Sequence, residues 1–325
     1  MKLAHTICGL AVLLTGSLLS AGCHAPALST IKPDKEKIAV GIVSSKELAN
    51  SKEVLEYTDK VFQQSAVVFD IRPLENETKA QEALAALASN ENIDLIITES
   101  KYSQFVAELA KTKDEKKFGI VGNVPNPDLK SVRLVNINRE HQAFVAGFLL
   151  AGASQKVPVG VIVQTPRSSE SPDWKGVMEG IHYAGVSTPP TVVTLDEAMA
   201  PEGGGRLKSL APRFFVLLDP VSPEQLTRLQ ESGKLLFTLH DLPKVSPSVV
   251  ARPRPIFTEG VQEEVQALLN NSWQGKLSAA VMGTGYFDII RTEAFPTELL
   301  NQSKRVEEGL RNRTLQPETY LKPPK

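Results

Sequence analysis

Short apolar runs alternate with amphipathic segments along the chain from residue 38 onward, and this alternation limits the possible folds most strongly. Residues 38–43 and 93–98 are two such runs, rich in isoleucine and valine. Consecutive apolar positions are typical of a strand that is covered on both faces, and the amphipathic segments between the runs provide the covering helices. The pattern therefore predicts an α/β fold with parallel sheets between layers of helices.

The alternation occurs twice, which predicts two doubly wound lobes joined by a hinge. A long helix is predicted over residues 139–154, with Asn138 as its N-cap, and the strand pattern restarts at residue 159. The patterns after residue 248 are too few for a third lobe, so we expect them to complete the first two. The predicted lobes are residues 38–138 plus about 252–284, and residues 139–251 plus about 285–325.

The first 23 residues have the pattern of a secretory signal. Lys2 provides a basic start, residues 11–19 are almost wholly apolar, and small residues lead into Cys23. This resembles a bacterial lipoprotein signal, although Ser20 stands where leucine is usual. We expect cleavage after residue 22 and lipid attachment to Cys23; the alternative is a secretory peptide without lipid that is cleaved nearby.

A lipidated Cys23 would hold the protein at the extracytoplasmic face of the cell membrane. Residues 23–37, with Pro26 and Pro33, then form a flexible tether. The other of the two cysteines, Cys8, lies within the predicted signal, so the mature protein has no disulfide. The net charge of −1, without a basic stripe, argues against nucleic acid as a partner.

Several segments carry a resemblance to one family of lipoproteins. These are residues 93–98, 117–121, 136–147 and 159–162, and weaker similarity continues to the end of the chain, including residues 174–180. The most specific positions are Glu140, Phe144, Ala146 and Gly147 in the predicted helix. The chain resembles the basic membrane protein family, the substrate-binding proteins of ABC transporters with the type 1 periplasmic-binding fold. Purine nucleoside receptors belong to this family, and Med-type lipoproteins linked to competence regulation form a divergent branch.

The chain departs from the family at the positions that bind the nucleoside. In purine-binding members an Asp- or Asn- and Phe-bearing loop follows the first strand, whereas residues 44–49 contain none of these. Gly122 stands where an aspartate is usual. Leu239 stands where a second aspartate is usual, and Asp241 follows two positions later. The resemblance therefore implies the fold, and it leaves the nucleoside site largely unmatched.

Candidate ligand residues follow from the fold, because such proteins bind ligands between the lobes at the carboxyl ends of strands. Ser45 and Asp219 are also typical of residues that cap helices or turns. Trp174 is also typical of packing between lobes, and residues 240–241 of an exposed turn that binds no ligand. The candidates are Ser44, Ser45, Glu99, Ser100, Gly122, Asn123, Trp174, Asp219, His240 and Asp241.

No catalytic or metal-binding motif is evident in the sequence. Histidines and cysteines do not occur at metal-ligand spacing, and neither a Gly-x-Ser-x-Gly elbow nor a phosphate-binding glycine loop is present. We therefore expect a protein that is not an enzyme and needs no cofactor or metal. The favoured function is a lipid-anchored solute-binding protein that passes a small ligand, nucleoside-like by resemblance, to an ABC permease. The alternative is a Med-type regulatory or sensory lipoprotein with a degenerate site.

Overall fold

The computed structural model describes residues 37–65, 67–124, 128–154, 157–200, 205–240, 242, 246–281 and 285–317. The predicted signal, Cys23 and nearly all of the predicted tether lie outside the described residues, as does Asp241. Among the helices in the described ranges, none combines the length and the hydropathy that a membrane span needs.

Strands and helices alternate through the described residues. The strands are β1 (Ile38–Ser45), β2 (Val67–Leu74), β3 (Leu95–Glu99), β4 (Lys117–Val121), β5 (Val132–Ile137), β6 (Gly160–Val163), β7 (Thr191–Thr194), β8 (Phe214–Leu217), β9 (Leu235–Thr238), β10 (Val249–Pro253), β11 (Ser278–Val281) and β12 (Phe287–Ile289). The α-helices are α1 (Lys46–Ala49), α2 (Lys52–Ser65), α3 (Ala80–Ala88), α4 (Ser103–Ala110), α5 (Arg139–Ser154), α6 (Pro172–Tyr183), α7 (Leu195–Met199), α8 (Gly205–Ser209), α9 (Pro223–Gln230), α10 (Phe257–Leu269) and α11 (Thr297–Arg311).

The strands form two separate six-stranded sheets. Their orders are β11-β5-β4-β3-β1-β2 and β12-β10-β9-β8-β6-β7. Neighbouring strands are parallel except β10 and β12, which are antiparallel. This arrangement confirms the predicted α/β class with two doubly wound sheets. The antiparallel edge strand was not predicted, because β12 is only three residues long and has no distinct apolar run.

The chain passes between the two sheets three times. It leaves the first sheet after β5, returns between β10 and β11, and crosses again between β11 and β12. Helix α10 packs on β4 and β5 of the first sheet, whereas α11 packs on α5 beside the second sheet. The carboxyl ends of β5 and β10 are therefore starting points of crossings, and a cleft can form there.

Helix α5 begins and ends where the sequence predicts, and its predicted cap is confirmed. The backbone N–H of His141 donates to Asn138 Oδ1 at 3.1 Å. Residues 142–151 of this helix are all buried. Helices α6 and α11 both pack against α5, so no face of this part of the helix remains exposed to solvent.

Glycines allow α5 and α6 to pack with their backbones in contact. A Cβ atom at Gly180 would lie 2.0 Å from the carbonyl oxygen of Phe144, and one at Gly147 would lie 2.2 Å from that of Val177. Real Cβ atoms do not approach oxygen so closely, so any side chain here would force the helices apart. This contact sets the distance between the starts of the two helices.

A buried carboxyl group lies on the inner face of α10. Glu264 is fully buried, with its Oε1 3.3 Å from Arg133 Nη1, and Trp273 Nε1 donates to its Oε2 at 2.6 Å. Burial nevertheless raises the pKa of Glu264 to about 7, because loss of hydration outweighs the stabilisation by Arg133 and Trp273. Glu264 therefore binds its proton in the folded protein at a pH where the unfolded chain has released it.

We expect this carboxyl group to make stability depend on pH. Between the unfolded pKa of 4.5 and the folded pKa of about 7, the folded state holds more protons. The free energy of unfolding should therefore fall as pH rises, by up to about 3 kcal/mol. Urea unfolding at about pH 5 and about pH 8 measures this difference. Glu264→Gln should remove most of it and the exposed variant Glu115→Gln should retain it; an equal difference in both variants would contradict the assignment.

Candidate functional site

A cavity of about 280 Å³ lies between the two sheets, at the carboxyl ends of strands from both. We call it the cleft cavity. The ends of β3, β4 and β5 line one side, and the segments after β9 and β10 line the other. Its polar lining residues are Glu99, Ser100, Asn123, Gln142, His240 and Arg254.

The structure brings half of the predicted ligand residues together at this cavity. Glu99, Ser100, Gly122, Asn123 and His240 line it, and their role in ligand binding stays a prediction. Four others do not line it: Ser44, Ser45, Trp174 and Asp219.

The first-lobe side of the cavity is built by the ends of β3 and β4. Glu99 accepts a hydrogen bond from the backbone N–H of Ser45, and its Oε2 lies 3.3 Å from Lys101 Nζ. Gly122 has φ +121°, and a Cβ atom there would lie 2.5 Å from Ser100 Oγ. The backbone and Ser100 therefore leave no room for the aspartate that purine-binding family members carry at the position of Gly122.

Arg139, at the first turn of α5, organises the second-lobe side of the cavity. Its Nη2 lies 3.1 Å from Asp173 Oδ2 on α6, and its Nη1 donates to the carbonyl oxygen of Leu239 after β9. The same Nη1 donates to Gln142 Oε1 at 3.1 Å. One guanidinium group thus joins α5, α6 and the end of β9.

His240 is half-buried beside this guanidinium group rather than exposed in a turn. Its Nε2 lies 2.9 Å from Arg139 Nη2 and 3.0 Å from the carbonyl oxygen of Leu218. Burial, and then the positive charge of Arg139, lower the pKa of His240. The ring is therefore neutral at neutral pH, where it can donate from one nitrogen and accept at the other.

Gln142 lines the cavity with an amide group that is only half satisfied. The side chain is fully buried and lies in the second turn of α5. Its Oε1 accepts from Arg139, whereas Nε2 has no hydrogen-bond partner in the described part of the chain. Buried amide N–H groups without a partner are rare. Gln142 therefore presents a hydrogen-bond donor that a bound molecule can use.

The sequence reasoning missed both Arg139 and Gln142. One signal was available, because an arginine in the first turn of a helix opposes the helix dipole and calls for a compensating acid. That acid, Asp173, lies 34 residues away in sequence. Only the packing of α5 on α6 reveals the pair.

The predicted residues away from the cavity have structural contacts of their own. Ser44 is fully buried in β1, and the side chain of Ser45 makes no capping bond. Asp219 accepts from the backbone N–H of Gln164 at 2.7 Å and pairs with Arg167, which matches the alternative of a turn cap. Trp174 is partly buried and packs against the core, which matches the packing role that the sequence offered as its alternative.

Comparison with known proteins identifies the fold. No protein family and no curated protein sequence matches the chain. A solved ABC transporter system solute-binding protein from Conexibacter woesei is 13% identical, with a TM-score of 0.54, and the alignment covers 86% of this chain and 98% of that one. A transcriptional activator of the comK gene from Bacillus halodurans is 14% identical, with a TM-score of 0.55 and coverage of 86% and 99%. The fold is therefore type 1 periplasmic-binding-protein-like, as predicted.

We expect the Arg139 network to stabilise the second-lobe side of the cavity. Arg139→Met leaves Asp173 without its counter-charge and the Leu239 carbonyl without this donor. It should lower the free energy of unfolding by about 2–4 kcal/mol. Arg206→Gln, which breaks the exposed pair with Glu197, should cost at most about 1 kcal/mol. Urea unfolding of both variants measures the difference, and equal losses would contradict the proposed role.

Proposed function

We propose that the chain is a solute-binding protein of an ABC transporter and captures a small ligand in the cleft cavity. The observation that carries this proposal is the convergence of Glu99, Gln142 and His240 from two lobes on one cavity. Open α/β sheets bind ligands at the carboxyl ends of their strands, and a two-lobed protein can close over a ligand bound there. The Conexibacter woesei protein, which shares the fold, is named for this function.

The proposed partners are a small solute and an ABC permease that receives it. The resemblance to purine nucleoside receptors makes nucleosides one class to test. At Gly122 this chain has no room for one of the aspartates through which those proteins hold a nucleoside. The proposed function therefore does not depend on a nucleoside as the ligand.

The proposal also includes a membrane anchor. Cys23 carries acyl chains, the segment after it acts as a tether, and the two lobes lie at the extracytoplasmic face of the membrane. The motive is the sequence pattern of residues 1–23. An anchored binding protein remains near its permease after releasing each ligand.

A regulatory role is the second candidate function. The Bacillus halodurans protein with the same fold is named as a transcriptional activator of the comK gene. The unmatched nucleoside positions also favour this role, because a protein that no longer transports a ligand has no need of them. In that case we expect the cleft cavity to bind no solute.

Thermal unfolding of the full chain, purified in mild detergent, distinguishes the two functions. The panel contains nucleosides, sugars and amino acids, each tested singly. A true ligand at 100 times its dissociation constant should stabilise the protein by about 2.7 kcal/mol. Asn123→Trp, at the cavity, should weaken the shift, whereas Asn92→Trp, ahead of β3 at the opposite end of the sheet, should not. The absence of a shift with every class would contradict the transport function.

The anchor has its own test, independent of the ligand. Cys23→Ala removes the thiol that would carry the lipid, so the variant should move from the membrane fraction to the soluble fraction when cells are separated by centrifugation. Cys8→Ala, which changes the other cysteine, should leave the mature protein on the membrane. Membrane attachment that is unchanged in Cys23→Ala would refute the proposed lipid anchor.

A further inference from the structure

One hydrogen-bond donor of the cleft cavity is left without a partner. Arg139 Nη1 can only donate, so the atom of Gln142 that faces it at 3.1 Å is the oxygen. The other end of this fully buried amide, Nε2, is then a donor, and no atom in the described part of the chain accepts from it. An oxygen of a bound molecule satisfies this donor, whereas a second donor would not.

The two charged residues among the described lining already have counter-charges within the protein. Glu99 Oε2 lies 3.3 Å from Lys101 Nζ, and the side chain of Glu99 is only 14% exposed. Arg254 Nε lies 3.8 Å from Asp288 Oδ1. The remaining titratable group of the lining, His240, is neutral at neutral pH because burial lowers its pKa. The described lining therefore offers a ligand no charge that lacks a partner.

An ionised group of a ligand would enter this cavity at a cost in free energy. It would lose its hydration, and it could pair with a lining residue only by displacing the partner that the residue already has. The guanidinium group of Arg139, which holds the Gln142 oxygen, is balanced in the same way by Asp173 at 3.1 Å. An uncharged molecule does not carry this cost, so the charges around the cavity favour a neutral ligand.

Much of the lining is apolar and the space is small. The side chains that contribute hydrocarbon surface include Leu48, Ile137, Leu239, Ile256 and Phe257. A sugar carries a hydroxyl group on nearly every carbon, and a hydroxyl buried against hydrocarbon has no partner. The volume of about 280 Å³ corresponds to about nine water molecules at the ~30 Å³ that each takes in the liquid. The ligand is therefore small, with an apolar body and few polar groups.

We propose that the cleft cavity binds a small uncharged molecule with a carbonyl oxygen and an apolar body. The carbonyl oxygen accepts from Gln142 Nε2, and the body lies against the aliphatic and aromatic lining. A carbonyl oxygen suits this position better than a hydroxyl group, because it accepts without bringing a hydrogen that needs an acceptor of its own. This assignment rests on the proposed solute-binding function and adds the ligand class to it.

Isothermal titration of the full chain in mild detergent tests the class with matched probes. The probes are benzamide, benzoate, benzylamine and benzyl alcohol, and the same head groups on a cyclohexyl and an isobutyl body. On the body that binds best, the carboxamide should bind at least about fivefold more tightly than the carboxylate or the ammonium compound, because each ionised group loses hydration without gaining a free counter-charge. The carboxamides also join the thermal-unfolding panel of nucleosides, sugars and amino acids as a further class.

A variant at Gln142 locates the donor. Gln142→Leu removes Nε2 and should weaken carboxamide binding at least about fivefold. It should retain the melting temperature, because hydrocarbon replaces a half-satisfied buried amide. Gln64→Leu makes the same change at an exposed position of α2 and should leave carboxamide binding as it is. Any partition of the probes into detergent is the same for both variants and cancels in the comparison.

A second variant tests the balance of charges without touching the donor. Lys101→Met removes the counter-charge of Glu99 while keeping a side chain of similar length. The ammonium probe should then gain at least about threefold in affinity relative to the carboxamide, since it can pair with the released carboxylate. Lys111→Met, which removes an exposed charge from the same lobe, should leave that ratio unchanged.

The possible results separate this inference from the proposed function. Tighter binding of a carboxylate or an ammonium probe, or binding of a sugar, a nucleoside or an amino acid with no carboxamide bound, would overturn the ligand class and leave the solute-binding function in place. Carboxamide binding that is equal in the unaltered chain and in Gln142→Leu would overturn the assigned site. If no probe of any class binds, both the inference and the proposed function fail.

Discussion

The backbone contact between α5 and α6 is the constraint on which the cleft depends. Gly180 and Gly147 allow this contact, since a Cβ atom at either position would overlap a carbonyl oxygen of the other helix. The contact brings the start of α5 close to the start of α6, so Arg139 can reach Asp173 at 3.1 Å. The same guanidinium group then holds the oxygen of Gln142 and leaves its N–H group for the cavity. Close helix packing, the salt bridge and the orientation of the Gln142 amide thus depend on one another.

The crossings between the sheets explain why one cavity receives groups of different character. Strand β3 ends at Glu99, which provides an acid from the first sheet, whereas the segment after β10 provides Arg254 from beside the second. A molecule in contact with both sides of the cavity would therefore connect the two sheets.

Local patterns were sufficient to predict most of the fold. Residues 117–121 and 139–154 form the strand and the helix that their apolar patterns predict. The short antiparallel strand β12 could not be predicted, because its pairing with β10 depends on a crossing and not on its own three residues. At the site, Glu99 was predictable because it follows a strand. Gln142 was not, since it lies inside a helix that is buried all round and the sequence does not show which of its faces meets the cleft.

The central claim is that the cleft cavity holds one small molecule, and native mass spectrometry of the full chain released from detergent tests it most directly. The spectrum of protein purified from its host should contain a species heavier than the bare chain by the mass of one small solute. That species should be depleted in Gln142→Leu, because the substitution removes the Nε2 donor of this cavity-lining residue. A spectrum of the bare chain alone, which remains unchanged when solutes are added at saturating concentration, would contradict the account.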